Sequence, residues 1–93
     1  MKRVLVAFDV DGALIYQVGE KEDTPRYEVI SFFHSLEDFG CIMYIWSEGG
    51  IDYAETWRKK LGLEAIVVEK GSFKPDVAVD NEAVDLGIVN LRV

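Results

Sequence analysis

The sequence predicts an α/β domain, a parallel sheet of about five strands sandwiched in three layers by helices on both faces. Three observations predict it. Short apolar runs recur along the 93 residues. Between them lie stretches whose apolar residues fall three and four apart, the spacing of one helix face. Four of the runs close in polar clusters, where open parallel sheets present their ligand groups. A chain of this length has room for one core, so residues 1–93 are expected to form a single domain.

Residues 3–8 read as a buried strand leading into Phe8-Asp9-Val10-Asp11-Gly12-Ala13-Leu14. Residues 13–23 mix Tyr16 and Gly19 with four charges and read as a short exposed hairpin or flap. Thr24-Pro25 offers an N-cap and a first-turn proline. Val29, Phe32, Phe33, Leu36 and Phe39 then make a helical stripe, which Gly40 ends. Residues 41–46 are the second strand. Ile51, Ala54, Trp57 and Leu61 form the next stripe, stopped by Gly62. Residues 64–68 and 77–79 are further strands, 82–86 a helical turn, and 88–91 a short last strand.

Composition narrows the function. Nearly half the residues are hydrophobic and 11 are aromatic, enough to fold without staples. The lone Cys41 lies in an apolar run and reads as a buried thiol in a reducing compartment. No apolar stretch approaches the length of a membrane span, and Met1-Lys2-Arg3 leads into a strand rather than a signal peptide. A soluble, cytoplasmic protein is expected, with no membrane partner. The net charge of −7 argues against non-specific nucleic-acid binding, which needs clustered Lys and Arg. A specific anionic substrate stays open at a metal site, where the cation reverses the local field.

The chemistry gathers at the carboxyl ends of the predicted strands. Asp9 and Asp11 are two apart where a strand runs out, so they would share a face. Two like charges in one small volume call for a cation or a proton between them. A calcium loop would continue with more oxygen ligands, but Ala13, Leu14 and Ile15 follow instead. The second strand delivers Ser47-Glu48-Gly49-Gly50, the third Glu69-Lys70-Gly71 and the fourth Asp80-Asn81-Glu82. Acids, a hydroxyl beside a Gly pair at a helix start, and a lysine are the parts a phosphoryl-transfer site needs. Backbone amides of Glu48 and Gly49 could donate to a phosphoryl group, with the Glu48 side chain turned away.

These residues resemble the haloacid dehalogenase-like hydrolases. Asp9-Val10-Asp11-Gly12-Ala13-Leu14 matches their first motif, with Ala13 in place of Thr or Val. Ile45-Trp46-Ser47 is similar to the second, a lysine is the third, and Asp80-Asn81-Glu82 answers the acidic fourth, with Asn81 where many members have Asp. The resemblance spans nearly the whole chain, in order. It implies a family-like core, and the connections leave no room for a cap domain. It also implies an aspartyl-phosphate mechanism. Asp9 would be the nucleophile, and Asp11 the acid that protonates the leaving group and then activates water. Ser47 and a lysine would hold the phosphoryl group. Mg²⁺ would be held by the Asp9 carboxylate, by Asp11 through its backbone carbonyl, and by Asp80. An open, capless site suits a phosphate on a larger molecule, or one that a second subunit encloses.

Two lysines compete for the third motif. Lys74-Pro75 looks like the family's pairing, yet Lys74 lies six residues before Asp80, roughly 20 Å along an extended strand. Lys70 directly follows a strand and is favoured. The connection 71–76 is short for a parallel crossover. Two alternatives stand beside the phosphatase: a catalytically degenerate fold of the same kind kept for binding, and a receiver-like phosphoacceptor domain. His34 reads as a surface residue, Trp46 and Trp57 as core, and Asp85 as a helix-surface acid. Tyr16 and Tyr53 could pack or line the mouth.

Overall fold

A computed structural model describes residues 2–17 and 24–93. The elements run β1 (Leu5–Asp9), α1 (Tyr27–Asp38), β2 (Ile42–Trp46), α2 (Ile51–Leu61), β3 (Ile66–Val67), β4 (Val77–Asp80) and β5 (Val89–Arg92). The five strands form one sheet in the order β3-β2-β1-β4-β5. Every pairing is parallel. The α/β class and the strand count therefore stand.

The layering differs from the expectation of helices on both faces. Phe8 pairs with Ile45 and Val79, and these residues share one core with Val29 and Phe33 of α1 and Ala54 and Trp57 of α2. Both helices thus cover the same face. Ala7, Trp46 and Ala78 point the other way, against Phe73, Val68 and Leu86 from loops. Handedness explains the division. The steps β1→β2 and β2→β3 run the same way across the sheet, so right-handed crossovers put both helices on one side. The return from β3 to β4 and the step to β5 run oppositely and cross the other face. Those connections, 68–76 and 81–88, are too short for a helix, so aromatic and aliphatic loop side chains substitute for one. Phe73 packs on Tyr44 and Trp46, with ring centroids 4.7 and 5.8 Å apart.

Several boundaries also move. Residues 82–86 form no helical turn, because Leu86 and Gly87 give their amides to the Asn90 side chain. Asp85 accordingly lies on a loop rather than a helix. The first helix begins at Tyr27, with Arg26 at its N-cap position. Pro25 instead bridges to Ile15, and Arg26 N donates to Leu14 O while Tyr16 N donates to Thr24 O. These bonds pair the two feet of the 13–23 excursion. Its first part is core rather than exposed flap, since Ala13, Leu14 and Ile15 are fully buried. Residues 18–23 of that flap lie outside the described residues. Cys41 is only partly buried. Phe39 is 87 % exposed and off the buried stripe, because it caps the helix rather than continuing it. Gly62 ends α2 in the left-handed conformation, as its position predicts.

Among the described residues no helix is long and apolar enough to cross a membrane.

Candidate functional site

The strand order places the site. Chain progress reverses between β1 and β4, and in open α/β sheets ligands bind beyond the carboxyl ends of the strands at such a reversal. Asp9 ends β1 and Asp80 ends β4. They lie one step past the paired Phe8 and Val79, on the face opposite the helices. Both are nearly fully buried, at 6 % and 2 % exposure. Burying two carboxylates side by side is costly unless they are paired.

Lys70 supplies the pairing. Its Nζ donates to Asp9 Oδ1 at 3.2 Å and to Asp80 Oδ2 at 3.0 Å. Lys70 lies in the loop that leaves β3, three residues past Val67. Burial works against its charge, but the hydrogen bonds and attraction of Asp80 and Asp9 outweigh that and hold its pKa above the ordinary lysine value. One ammonium does not offset two buried carboxylates. Burial first, and the neighbouring Asp80 charge second, push Asp9 up from 3.8 to about 6 despite Lys70. Lys74 is exposed and lies near the other end of the sheet, where Asp76 Oδ2 accepts the Leu5 amide at 2.8 Å.

Asp11 sits past the end of β1, in the turn that bridges to Ile15. The two-residue strand period therefore does not carry from Asp9 to Asp11. The Asp11 carboxylate instead accepts a 2.6 Å hydrogen bond from Tyr53 of α2. It nevertheless lines the same small cavity as Asp9, of about 90 Å³, with Ser47, Lys70, Asp80 and Asn81.

The remaining groups are held by local bonds. Ser47 is 3 % exposed, and its Oγ accepts from the Gly49 amide at 3.0 Å. That amide is thus turned to Ser47, not free for a phosphoryl group as the Gly pair suggested. Glu48 is mostly solvent-facing, but its Oε1 lies 3.8 Å from Lys70 Nζ, so it does not turn wholly away. Asp80 Oδ1 accepts the Glu82 amide at 3.0 Å. Asn81, with its amide oriented to satisfy both ends, donates to Asp80 Oδ1 at 3.0 Å and to the Asp11 carbonyl at 3.2 Å. Its oxygen accepts from Gln17 Nε2 at 3.0 Å. Asn81 packs so closely on Gly12 that a Cβ there would lie 2.4 Å from its side chain.

The sequence left Tyr53 open between packing and lining the mouth, without a partner for its hydroxyl, and gave Gln17 no role. Tyr53 could have been found, since it lies in the first turn of a helix that starts at the carboxyl edge of the sheet. Gln17 carries no such signal. Of the other residues weighed, His34 is exposed and pairs with Glu37, and Trp46 and Trp57 are core.

Among the described residues, no three His, Cys, Asp or Glu side chains converge to hold a metal ion. The donor set expected for Mg²⁺ needs only two side chains, Asp9 and Asp80, with the Asp11 carbonyl. All three are oxygen donors, as that hard cation prefers. The unbalanced charge on Asp9 is the local feature that fits a cation there.

No protein-family model matches the chain, and no match is found among curated proteins or solved structures.

Proposed function

We propose that this chain is a Mg²⁺-dependent phosphohydrolase working through an aspartyl-phosphate on Asp9. The observation that carries the reading is the buried Asp9–Lys70–Asp80 array at the strand-order reversal. Lys70 contacts both carboxylates while remaining within reach of the cavity they line. An Asp nucleophile needs a neighbouring cation to tolerate an incoming anionic phosphoryl group.

In this reading the Asp9 carboxylate attacks phosphorus, forming an acyl-phosphate bond as the bond to the leaving oxygen breaks. Asp11, oriented by Tyr53, gives its proton to that oxygen. It then takes a proton from water, which attacks phosphorus and releases Asp9 and inorganic phosphate. Lys70 and Ser47 offset charge on the phosphoryl oxygens. Mg²⁺, held by Asp9, Asp80 and the Asp11 carbonyl, would supply further charge neutralisation. A cation beside Asp9 also favours the ionised form that attacks.

The test is to trap the intermediate. After incubation with a phosphate donor and an acid quench, a hydroxylamine-labile phosphoryl group should map to Asp9 and vanish in Asp9→Asn. Labelling at another residue, or none at any donor concentration, would oppose the reading. One observation favours a catalytically silent binding fold instead: the Lys70 ammonium itself pairs with both Asp9 and Asp80.

A further inference from the structure

Next to the acidic cavity is a larger one of about 470 Å³, lined by Gly12, Tyr16, Gln17, Arg26, Asn81 and Arg92, with Val93 at its margin. Gln17 and Asn81 line both, so the two are contiguous. Their charge is opposite. Among the described residues its wall holds two guanidinium groups and no acidic side chain, although Glu28 pairs with one of the two, in a chain whose net charge is −7.

The arginines are fixed rather than loose. Arg26 Nη1 donates to the Gly12 carbonyl at 2.6 Å and its Nε to Glu28 at 2.9 Å. The guanidinium also lies over the Tyr16 ring, 5.7 Å from its centroid. Arg92 Nε donates to the Asn81 carbonyl at 3.1 Å. Each arginine therefore grips the residue directly after a site aspartate, Asp11 or Asp80. A guanidinium carries five donors in a planar fork that matches an oxyanion. These anchoring bonds use two of Arg26's donors and one of Arg92's. The opposite flank of the site has the reverse character, since its cavity is walled by Glu48, Glu69 and Asp85. A second anionic group on a bound molecule would be repelled on that side and attracted on the arginine side.

We propose that the Arg26–Arg92 cavity is a second anion subsite, which selects phosphate esters bearing another phosphate or carboxylate group. This rests on the phosphohydrolase reading for its catalytic consequence, but not for its binding consequence.

Two measurements keep those apart. The first compares kcat/KM for an alkanediol bisphosphate, a carboxyalkyl phosphate and a neutral alkyl phosphate of equal length. Wild type should prefer both esters that carry a second anionic group, and the two arms show which second group is favoured. In Arg92→Gln the preference ratio should fall about tenfold or more, as expected for losing a charged hydrogen bond. Arg92→Lys, which keeps the charge but not the fork, should fall between. Arg92 is exposed on an edge strand, so the variant is expected to fold, and circular dichroism checks this. The second measurement titrates metal-free protein with inorganic pyrophosphate and follows the Arg side-chain Nε–H resonances. Shifts at Arg26 and Arg92, weakened about tenfold in Arg92→Gln, are expected. Binding without turnover of any ester would keep the subsite and remove the phosphohydrolase reading. Turnover with no preference for a second anion, and a ratio unchanged in Arg92→Gln, would overturn the subsite and leave the reading intact. Absence of both pyrophosphate shifts and turnover would overturn both.

Discussion

The ammonium of Lys70 lies 3.0 Å from Asp80 Oδ2, although Lys70 follows β3 and Asp80 ends β4, strands separated in the sheet by β2 and β1. The same ammonium bonds Asp9. Removing it strands two buried carboxylates. Lys70→Ala should destabilise the metal-free fold by about 3–5 kcal/mol, the cost of breaking a buried pair. Hydrolysis should fall by about 10²–10³, as for loss of a charge-stabilising donor. Lys74→Ala should stay within about threefold in rate, since an exposed lysine contributes little. Urea unfolding and aryl phosphate kinetics on both variants check the ranking, and the reverse order would return the role to Lys74.

Tyr53→Phe removes the 2.6 Å hydrogen bond to Asp11 while keeping the ring. The stability change should be only about 1 kcal/mol, as for a single hydrogen bond. The rate should drop further, on the order of tenfold in kcat with KM little changed, because a loosened Asp11 misplaces the proton it transfers. Equal kcat in the two proteins would deny Asp11 that role.

Asp9 gives a pH dependence with a definite sign. Its pKa rises from 3.8 to about 6 on folding, chiefly through burial and then through Asp80. The protonated form is therefore favoured in the fold. That stability is present below about pH 4 and is lost as pH rises through about 6, by roughly 3 kcal/mol. In the absence of metal, Asp9→Asn should gain on wild type by up to that amount between pH 4 and pH 8. Urea denaturation across this range checks it; a gap that does not change with pH would show that Asp9 titrates normally.

Gly12 has φ of +79°, and a Cβ there would meet Asn81 at 2.4 Å. Gly12→Ala should cost at least about 1–3 kcal/mol. Part of that is the collision, so Asn81→Ala in the same chain should recover some of it, giving less than additive destabilisation. Thermal melts of the two single variants and the double variant check this, and strict additivity would mean that Asn81 simply moves aside.

The sheet was legible because its strands are short apolar runs between helical stripes with glycine stops, as at Gly62. Parallel pairing followed from that alternation. The layering was not legible, because it depends on strand order, which no local pattern encodes. Once β4 pairs with β1 rather than β3, handedness alone puts α1 and α2 on one face. The site's strand-end residues Asp9, Ser47 and Asp80 were readable from position. Asp11 was only half readable, since the strand ends at Asp9 and the period-two rule stops with it. The Tyr53 bond and the Asn81 bridge to Gln17 join residues far apart in sequence, and only the folded chain brings them together.

Asp9 is the proposed nucleophile of a cation-dependent phosphatase. The most direct measurement is hydrolysis of an aryl phosphate by the wild-type chain and Asp9→Asn, with Mg²⁺ present and with the metal chelated. The account predicts turnover by wild type that requires Mg²⁺ and is lost in Asp9→Asn, a variant that keeps the shape and removes the attacking carboxylate. Wild-type protein that is folded yet inactive with Mg²⁺, Mn²⁺ and Co²⁺ alike, or an Asp9→Asn variant as active as wild type, would contradict it.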